Sequence, residues 1–427
     1  MKKIIFFTAG LFIGFHSLCQ TNGNEDPIHA LIQKETDQIY DSLVKIRRDF
    51  HRYPELGGHE KRTSGKIESY LQKLGLTVKT NIGGYGVVGI LEGNKDGKHI
   101  AWRADIDAFQ SDVPDVVEFG SLNKGVRHIC GHDIHTAIAL GMANVLSKQK
   151  DKINGTIYFL FQPSEENLKG AKAMIDDGLF EIINPDEIYG LHMSPWPTGS
   201  ISTKSEEIYA YIRRIRLTFE KDIPIDSVKQ VIREVALDLL RVKPESRPWE
   251  LQHAMHPEIG FANPNTIYQD YLIIHEEFYV SEQNDKALFE QNLYETNKAN
   301  LENIIDKIRQ HVLASRYRDK LISVEYVTED PAVFNDKELT ESAIETISGI
   351  YGKQVVIPNY GIVPFFSDDF ARLQQRVPGT YFFLGGSNFE KGLIAMSHAP
   401  DFAADEESIK VGVKYFSSLI IERTKTE

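Results

Sequence analysis

Gly155-Thr156-Ile157-Tyr158-Phe159-Leu160-Phe161 is a nearly continuous apolar run that stops abruptly at Gln162-Pro163-Ser164-Glu165-Glu166. A run without polar alternation reads as a strand buried on both faces, as in the sheet of an α/β protein. Two adjacent carboxylates at the mouth of such a strand cannot face the same way. One can therefore bind an ion while the other stays free to move protons. A bare Glu-Glu pair is more often a solvated loop, and only its company changes that balance.

The company begins upstream, at His128-Ile129-Cys130-Gly131-His132-Asp133-Ile134-His135. Cys130 and His132 stand two apart, so on an extended segment or tight turn both can aim at one point, and both are ordinary donors to zinc. A lone buried thiol beside surface histidines is the plainer alternative. Two more apolar stretches also end in histidine: Ile188-Tyr189-Gly190-Leu191-His192, before Pro195-Trp196-Pro197, and the segment leading to Met396-Ser397-His398. Repetition of the pattern points to ligands delivered from strand ends.

Further out, helical spacing is expected from about Thr36 to Phe50, from Glu60 to Leu74 with Gly75 as its stop, and from Thr136 to Ser147. Val87–Leu91 and His99–Arg103 read as strands. The second closes on Arg103-Ala104-Asp105-Ile106-Asp107, whose two carboxylates share a face and could orient a ligating imidazole. Around Glu206 the register changes. A strand at Ile212–Phe219, a helix at Ile225–Leu240, strands within Thr266–Val280, a long helix from Asp285 to Val312 and a strand at Leu321–Val327 give β-α-β-β-α-β, a ferredoxin-like unit. The expected fold is thus an α/β/α domain with an inserted α+β ferredoxin-like lid or dimerisation domain. The expected divisions are 1–19 signal peptide, 20–36 tether, 37–205 first catalytic part, 206–328 lid and 329–427 second catalytic part.

The chain has 427 residues with 41% hydrophobic and 26% charged content, ample for two domains. Its net charge of −13 argues against nucleic acid or an anionic membrane as partner and fits a small-molecule substrate. Met1-Lys2-Lys3, the apolar run Ile4–Phe15 and Ser17-Leu18-Cys19 have the layout of a secretory signal, cut near Cys19, for a secreted or periplasmic protein. Lipid attachment at Cys19 is the second choice. The mature chain would hold no membrane-spanning segment and a single thiol, Cys130. In an oxidising compartment that thiol needs an occupant, which a metal provides.

With these segments in view, the chain resembles the zinc amidohydrolases of the aminoacylase, hippurate hydrolase and auxin-conjugate hydrolase group of metallopeptidases. The resemblance rests on Arg48 through Pro54-Glu55 to Thr63, Arg103–Asp107, Cys130-Gly131-His132-Asp133, Phe161–Glu166, Gly190-Leu191-His192, and His398 through Pro400-Asp401-Phe402 to Glu406. It implies one or two divalent ions, zinc foremost with Mn, Co or Ni as alternatives, at Cys130, His132, Glu166, His192 and His398. It implies Glu165 as general base, with Asp107 and Asp133 orienting the ligands, and a lid able to form a homodimer. The implied activity is hydrolysis of an amide in an N-acyl amino acid or small peptide. A dipeptidase or carboxypeptidase, or a metal-bearing binding protein without turnover, are the alternatives.

Departures from the family pattern lie in the lid. Phe219-Glu220-Lys221-Asp222-Ile223-Pro224 lacks the glycines and histidine usual there for oxyanion stabilisation, and loop residues His253 and His256 are weak replacements. Asn265, in Gly260–Ile267, matches a substrate-amide contact. Phe278 stands where relatives carry an arginine, which predicts a substrate whose carboxylate is absent or bound elsewhere.

Overall fold

The computed structural model describes residues 26–243 and 245–425. The expected signal peptide with Cys19, and residues 20–25 of the expected tether, lie outside them.

Helix α1, Pro27–Arg52, starts well before the expected Thr36, so residues 27–36 are packed helix rather than tether. Asp26 caps it by accepting from Ile28 N at 3.1 Å, and Pro27 sits where a missing N–H costs nothing. Ile28, Ile32, Leu43 and Phe50 form its buried stripe, diluted by enough polar neighbours to hide the period. Helix α2 spans Lys61–Lys73. Strands β1 (Thr77–Ile82), β2 (Gly86–Glu92) and β3 (Lys95–Asp105) follow, then α3 (His132–Ser147), β4 (Asn154–Gln162), β5 (Glu187–Pro197) and β6 (Ile201–Thr203).

Among the described residues these strands join β12 (Val356–Pro358) and β13 (Gly379–Ser387) in one eight-stranded sheet, in the order β1-β2-β4-β3-β5-β13-β6-β12. The central pairs β4–β3, β3–β5 and β5–β13 are parallel, which places their C-terminal ends along one edge. The apolar run of β4 is explained by burial on both sides. Ile157, Phe159 and Phe161 enter the core under α1, α3 and the final helix, while Tyr158 and Leu160 enter the opposite core. Such a three-layer sandwich leaves the strand ends as the natural site for chemistry.

The stretch after Glu206 forms a second sheet. Strands β7 (Tyr211–Glu220), β8 (Leu272–Ile274), β9 (Tyr279–Gln283), β10 (Lys286–Glu295) and β11 (Leu321–Thr328) pack against helices α4 (Ile225–Leu239) and α5 (Lys298–Ala314) around their own apolar core. The order β8-β10-β7-β11, with β9 also on β10, is the ferredoxin-like one. The long helix expected over Asp285–Val312 is corrected: its first third is strand β10. Asn284 and Asp285 both adopt positive φ, 49° and 56°, and make a two-residue hairpin joining β9 to β10. That turn chemistry was present in the sequence.

The strand expected to end at His192 also runs further. Strand β5 runs on to Pro197, paired with β13 alone, because β3 leaves its other edge after Gly190. A proline lacks only a donor that this free edge does not need. No helix among the described residues is long and apolar enough to cross a membrane.

Candidate metal centre

Five donors meet at the C-terminal edge of the parallel strands. Cys130 lies in the loop before α3 and His132 opens that helix, with Gly131 between them at φ 91°. A Cβ on Gly131 would stand 2.8 Å from Met193 Cγ, so only glycine allows the reversal that turns both donors inward. Cys130 Sγ is 3.1 Å from His192 Nε2 on β5, and His398 Nε2 is 3.1 Å from Glu166 Oε2. His132 Nε2 lies 3.9 Å from Glu166 Oε1 and 3.8 Å from Glu165 Oε2. The ligand atoms of Cys130, His132 and His192 fall within 4.8 Å of one another, as do those of Cys130, Glu166 and His398. The thiol therefore belongs to two adjoining donor groups.

The rings are held from behind. His132 Nδ1 donates to the Asp107 carbonyl at 2.9 Å, and His192 Nδ1 to the Met193 carbonyl at 2.7 Å. This leaves each Nε2 facing the cluster, as the atom that a metal ion would take. The Glu166 N–H donates to Asp107 Oδ2 at 3.0 Å, fixing the loop that carries both glutamates.

The charge balance calls for a cation. His132 Nε2, Glu166 Oε1 and Asp107 Oδ1 are buried without a hydrogen-bond partner, an expensive arrangement unless something binds them. Burial alone would lower the pKa of His132, yet Asp105, Asp107 and Glu166 push it up to about 10. Burial, and after it Glu166, Glu165, Asp105 and Asp107, lift the Cys130 thiol well above its ordinary range. Burial and His135 bring His192 down to about 4. Soft and borderline donors inside such negative surroundings fit a divalent ion of the zinc type.

Glu165 stands between this group and a second acidic pair: its Oε2 is 3.8 Å from His132 Nε2, and its carboxylate comes within 4.8 Å of those of Asp368 and Asp369. Burial first, then Asp368 and Glu166, raise its pKa well above the ordinary glutamate value. Behind it, the fully buried Arg103 donates to Asp105 Oδ2 at 2.6 Å and holds Asp368 and Asp369 at 3.0 and 3.3 Å. Asp105 in turn holds His135 Nδ1 at 2.6 Å, and His135 Nε2 accepts the Met193 N–H at 2.9 Å. Sequence reading flagged Asp105 only as one of a pair and gave His135, Arg103, Asp368 and Asp369 no role. Apart from Asp105, two residues from Arg103, the partners named here lie 30 to 266 residues away.

Three expected residues lie elsewhere. Asp133 touches none of the five donors: it binds Arg47 Nε at 2.7 Å and His51 Nδ1 at 2.8 Å and caps its own helix at Ile134 N. Consecutive positions on a helix point about 100° apart, so the turn that aims His132 at the donors sends Asp133 to a different face. Asn265 is exposed, and its carbonyl accepts from Lys243 Nζ. Phe278 lies in the β8–β9 connection and packs beneath Arg233 of α4, in the core of the inserted unit rather than at the centre. His253 and His256, weak replacements by sequence, do not line the cavity, although their neighbours Ala254 and Met255 do.

That cavity, about 260 Å³, opens from the donors between the sheet edge and the inserted unit. Its walls are aromatic, with Trp196, Phe261, Phe365, Phe366 and Phe383, and no lysine or arginine lines it among the described residues.

Residues 101–422 match the peptidase family M20/M25/M40. The chain is 30% identical over 400 residues to thermostable carboxypeptidase 1 of Saccharolobus solfataricus, covering 92% of this chain and 98% of that one. It is 27% identical over 395 residues to an N-acetylcysteine deacetylase of Bacillus subtilis, covering 89% and 96%. The fold superposes on a dinuclear metal-binding peptidase of Bacillus subtilis with a TM-score of 0.72 at 25% identity, over 91% of this chain and 99% of the other.

Proposed function

The chain belongs to the peptidase family M20/M25/M40 and is a metal-dependent hydrolase of amide bonds; from that premise we propose that it cleaves N-acyl amino acids or small peptides with Glu165 as general base. The observation that carries this reading is the convergence of Cys130, His132, Glu166, His192 and His398 with a second buried carboxylate, Glu165, beside them and close to other acids.

In this reading those five residues hold one or two divalent ions, zinc by the nature of the donors. The bound ion supplies a Lewis acid that polarises the amide carbonyl and acidifies water. Asp107 keeps Glu166 and His132 in place through the contacts described above. Glu165 accepts the proton of the attacking water on its free carboxylate oxygen and returns it to the departing amine. The upward shift makes Glu165 a stronger base than an ordinary carboxylate, as taking a proton from water requires. The aromatic walls favour an apolar acyl or side-chain group, and the lack of lysine or arginine among the described lining residues supports the expectation of a carboxylate bound elsewhere or absent, though for a reason other than Phe278.

Glu165→Gln is the direct test. The variant should bind zinc as the wild type does while hydrolysis of an N-acyl amino acid panel falls roughly 10²–10⁴-fold. Unchanged turnover removes Glu165 from the mechanism. Short peptides in the same panel separate deacylase from carboxypeptidase or dipeptidase activity. A pure binding protein is disfavoured, because it has no need of a base beside the ion. Export by residues 1–19 and a homodimer through the inserted unit belong to the same proposal. N-terminal sequencing of the secreted chain and light scattering test them.

A further inference from the structure

His398 differs from the other two imidazoles of the centre in three respects. Its backbone adopts φ 62°, a left-handed conformation that a residue with a Cβ seldom takes. Its side chain is 34% exposed, whereas that of Glu166 beside it is 10% and that of His132 is 0%. No hydrogen bond among the described residues fixes its Nδ1, where His132 and His192 each donate from Nδ1 to a main-chain carbonyl.

Something else must orient this ring, and two aromatic side chains surround it. Phe109 stacks on it with centroids 4.4 Å apart and an interplanar angle of 29°. Phe366 meets it edge-on at 5.9 Å and 61°. Neither phenylalanine carries a donor atom, so neither can be a ligand. Phe109 is anchored by the short ladder Phe109–Gln110 with Val126–Arg127, just upstream of Cys130. The His398 N–H donates to the Ile129 carbonyl at 2.9 Å, tying the loop to the same segment. Phe366 also lines the apolar cavity, so one side chain touches both the His398 ring and the space beside it.

We infer that Phe109 and Phe366 are positioning residues that clamp His398 as a metal ligand, replacing the hydrogen bond that orients the other two rings, and that the Cys130–Glu166–His398 group is the loosely held half of the centre. This rests on the metal-centre reading above. An aromatic face fixes a ring's plane but not its tautomer, and leaves it free to swing out when the loop relaxes. A ligand held in this way should cost affinity more readily than one tied by a hydrogen bond.

The test is zinc competition against a chromogenic chelator on the full chain, with zinc per chain counted after dialysis. Phe109→Leu and Phe366→Leu should weaken the least tightly held zinc by roughly 10–100-fold, toward the behaviour of His398→Ala. Phe109→Tyr, which keeps the stacking face, should bind as the wild type does. A merely structural role for Phe109 would lower the thermal midpoint of the metal-free protein without changing chelator competition. Wild-type affinity in both leucine variants overturns the inference. The metal-centre reading fails separately if His398→Ala and wild type hold zinc equally, and a wild type that binds no zinc overturns both.

Discussion

Asp107 Oδ2 accepts the main-chain N–H of Glu166 at 3.0 Å, so a residue just past the end of β3 fixes the loop that follows β4. The Asp107 carbonyl also receives His132 Nδ1. Asp107→Ala removes the carboxylate but keeps this main-chain carbonyl, so it should loosen Glu166 while His132 stays oriented. We expect zinc affinity to fall roughly 10–100-fold with little change in fold, read by chelator competition and circular dichroism. Unaltered affinity would mean that the loop holds its shape without this bond.

Arg103 has no solvent exposure and pairs with Asp105, Asp368 and Asp369, besides donating to Gln162 Oε1 at 2.9 Å. Arg103→Met strands three carboxylates in the core and should cost about 3–5 kcal/mol. Arg103→Lys keeps the charge but loses the planar fork, so it should recover only part of that. Chemical denaturation of both variants measures the difference.

Glu60 is fully buried, with Oε1 accepting the Ser164 N–H at 2.8 Å and Oε2 unpartnered. Burial, with Asp107 adding to it, pushes its pKa up from 4.5 to about 7 against the hydrogen bonds that lower it. A carboxyl raised on folding stabilises fully below its unfolded value and loses that contribution as pH climbs through the folded one. Stability should thus decline from about pH 4.5 to about pH 7, by about 3 kcal/mol from this group. Glu60→Gln should flatten that part of the curve, and a slope unchanged in the variant would count against Glu60 as its source.

Phe365 lines the cavity with φ 68° and meets Tyr294 of β10 edge-on at 4.7 Å. Shortening it enlarges the space beside the donors. Phe365→Ala should shift the ratio of kcat/KM for long over short acyl groups upward by roughly tenfold or more. Phe365→Gly should give the same shift in a better-folded protein, because glycine relaxes the left-handed backbone. An acyl preference identical to wild type would place the acyl group elsewhere.

The sequence alone determined that β4 is buried on both faces, that Cys130, His132, Glu165, Glu166, His192 and His398 belong together, and that an α+β unit interrupts the main domain. Those are local signals: an apolar run, a spacing, a change of register. The start of α1 and the Asn284-Asp285 hairpin were also locally encoded but masked by polar residues around weak periods. What only tertiary structure decided is which groups face one another. Asp133 neighbours His132 along the chain yet serves Arg47 and His51, while Asp107 reaches His132 25 positions away and Arg103 reaches Asp369 266 positions away. Direction and distance between such groups follow from how strands and helices pack, because only packing brings a lone pair, a carboxylate and a ring edge to the same few ångströms.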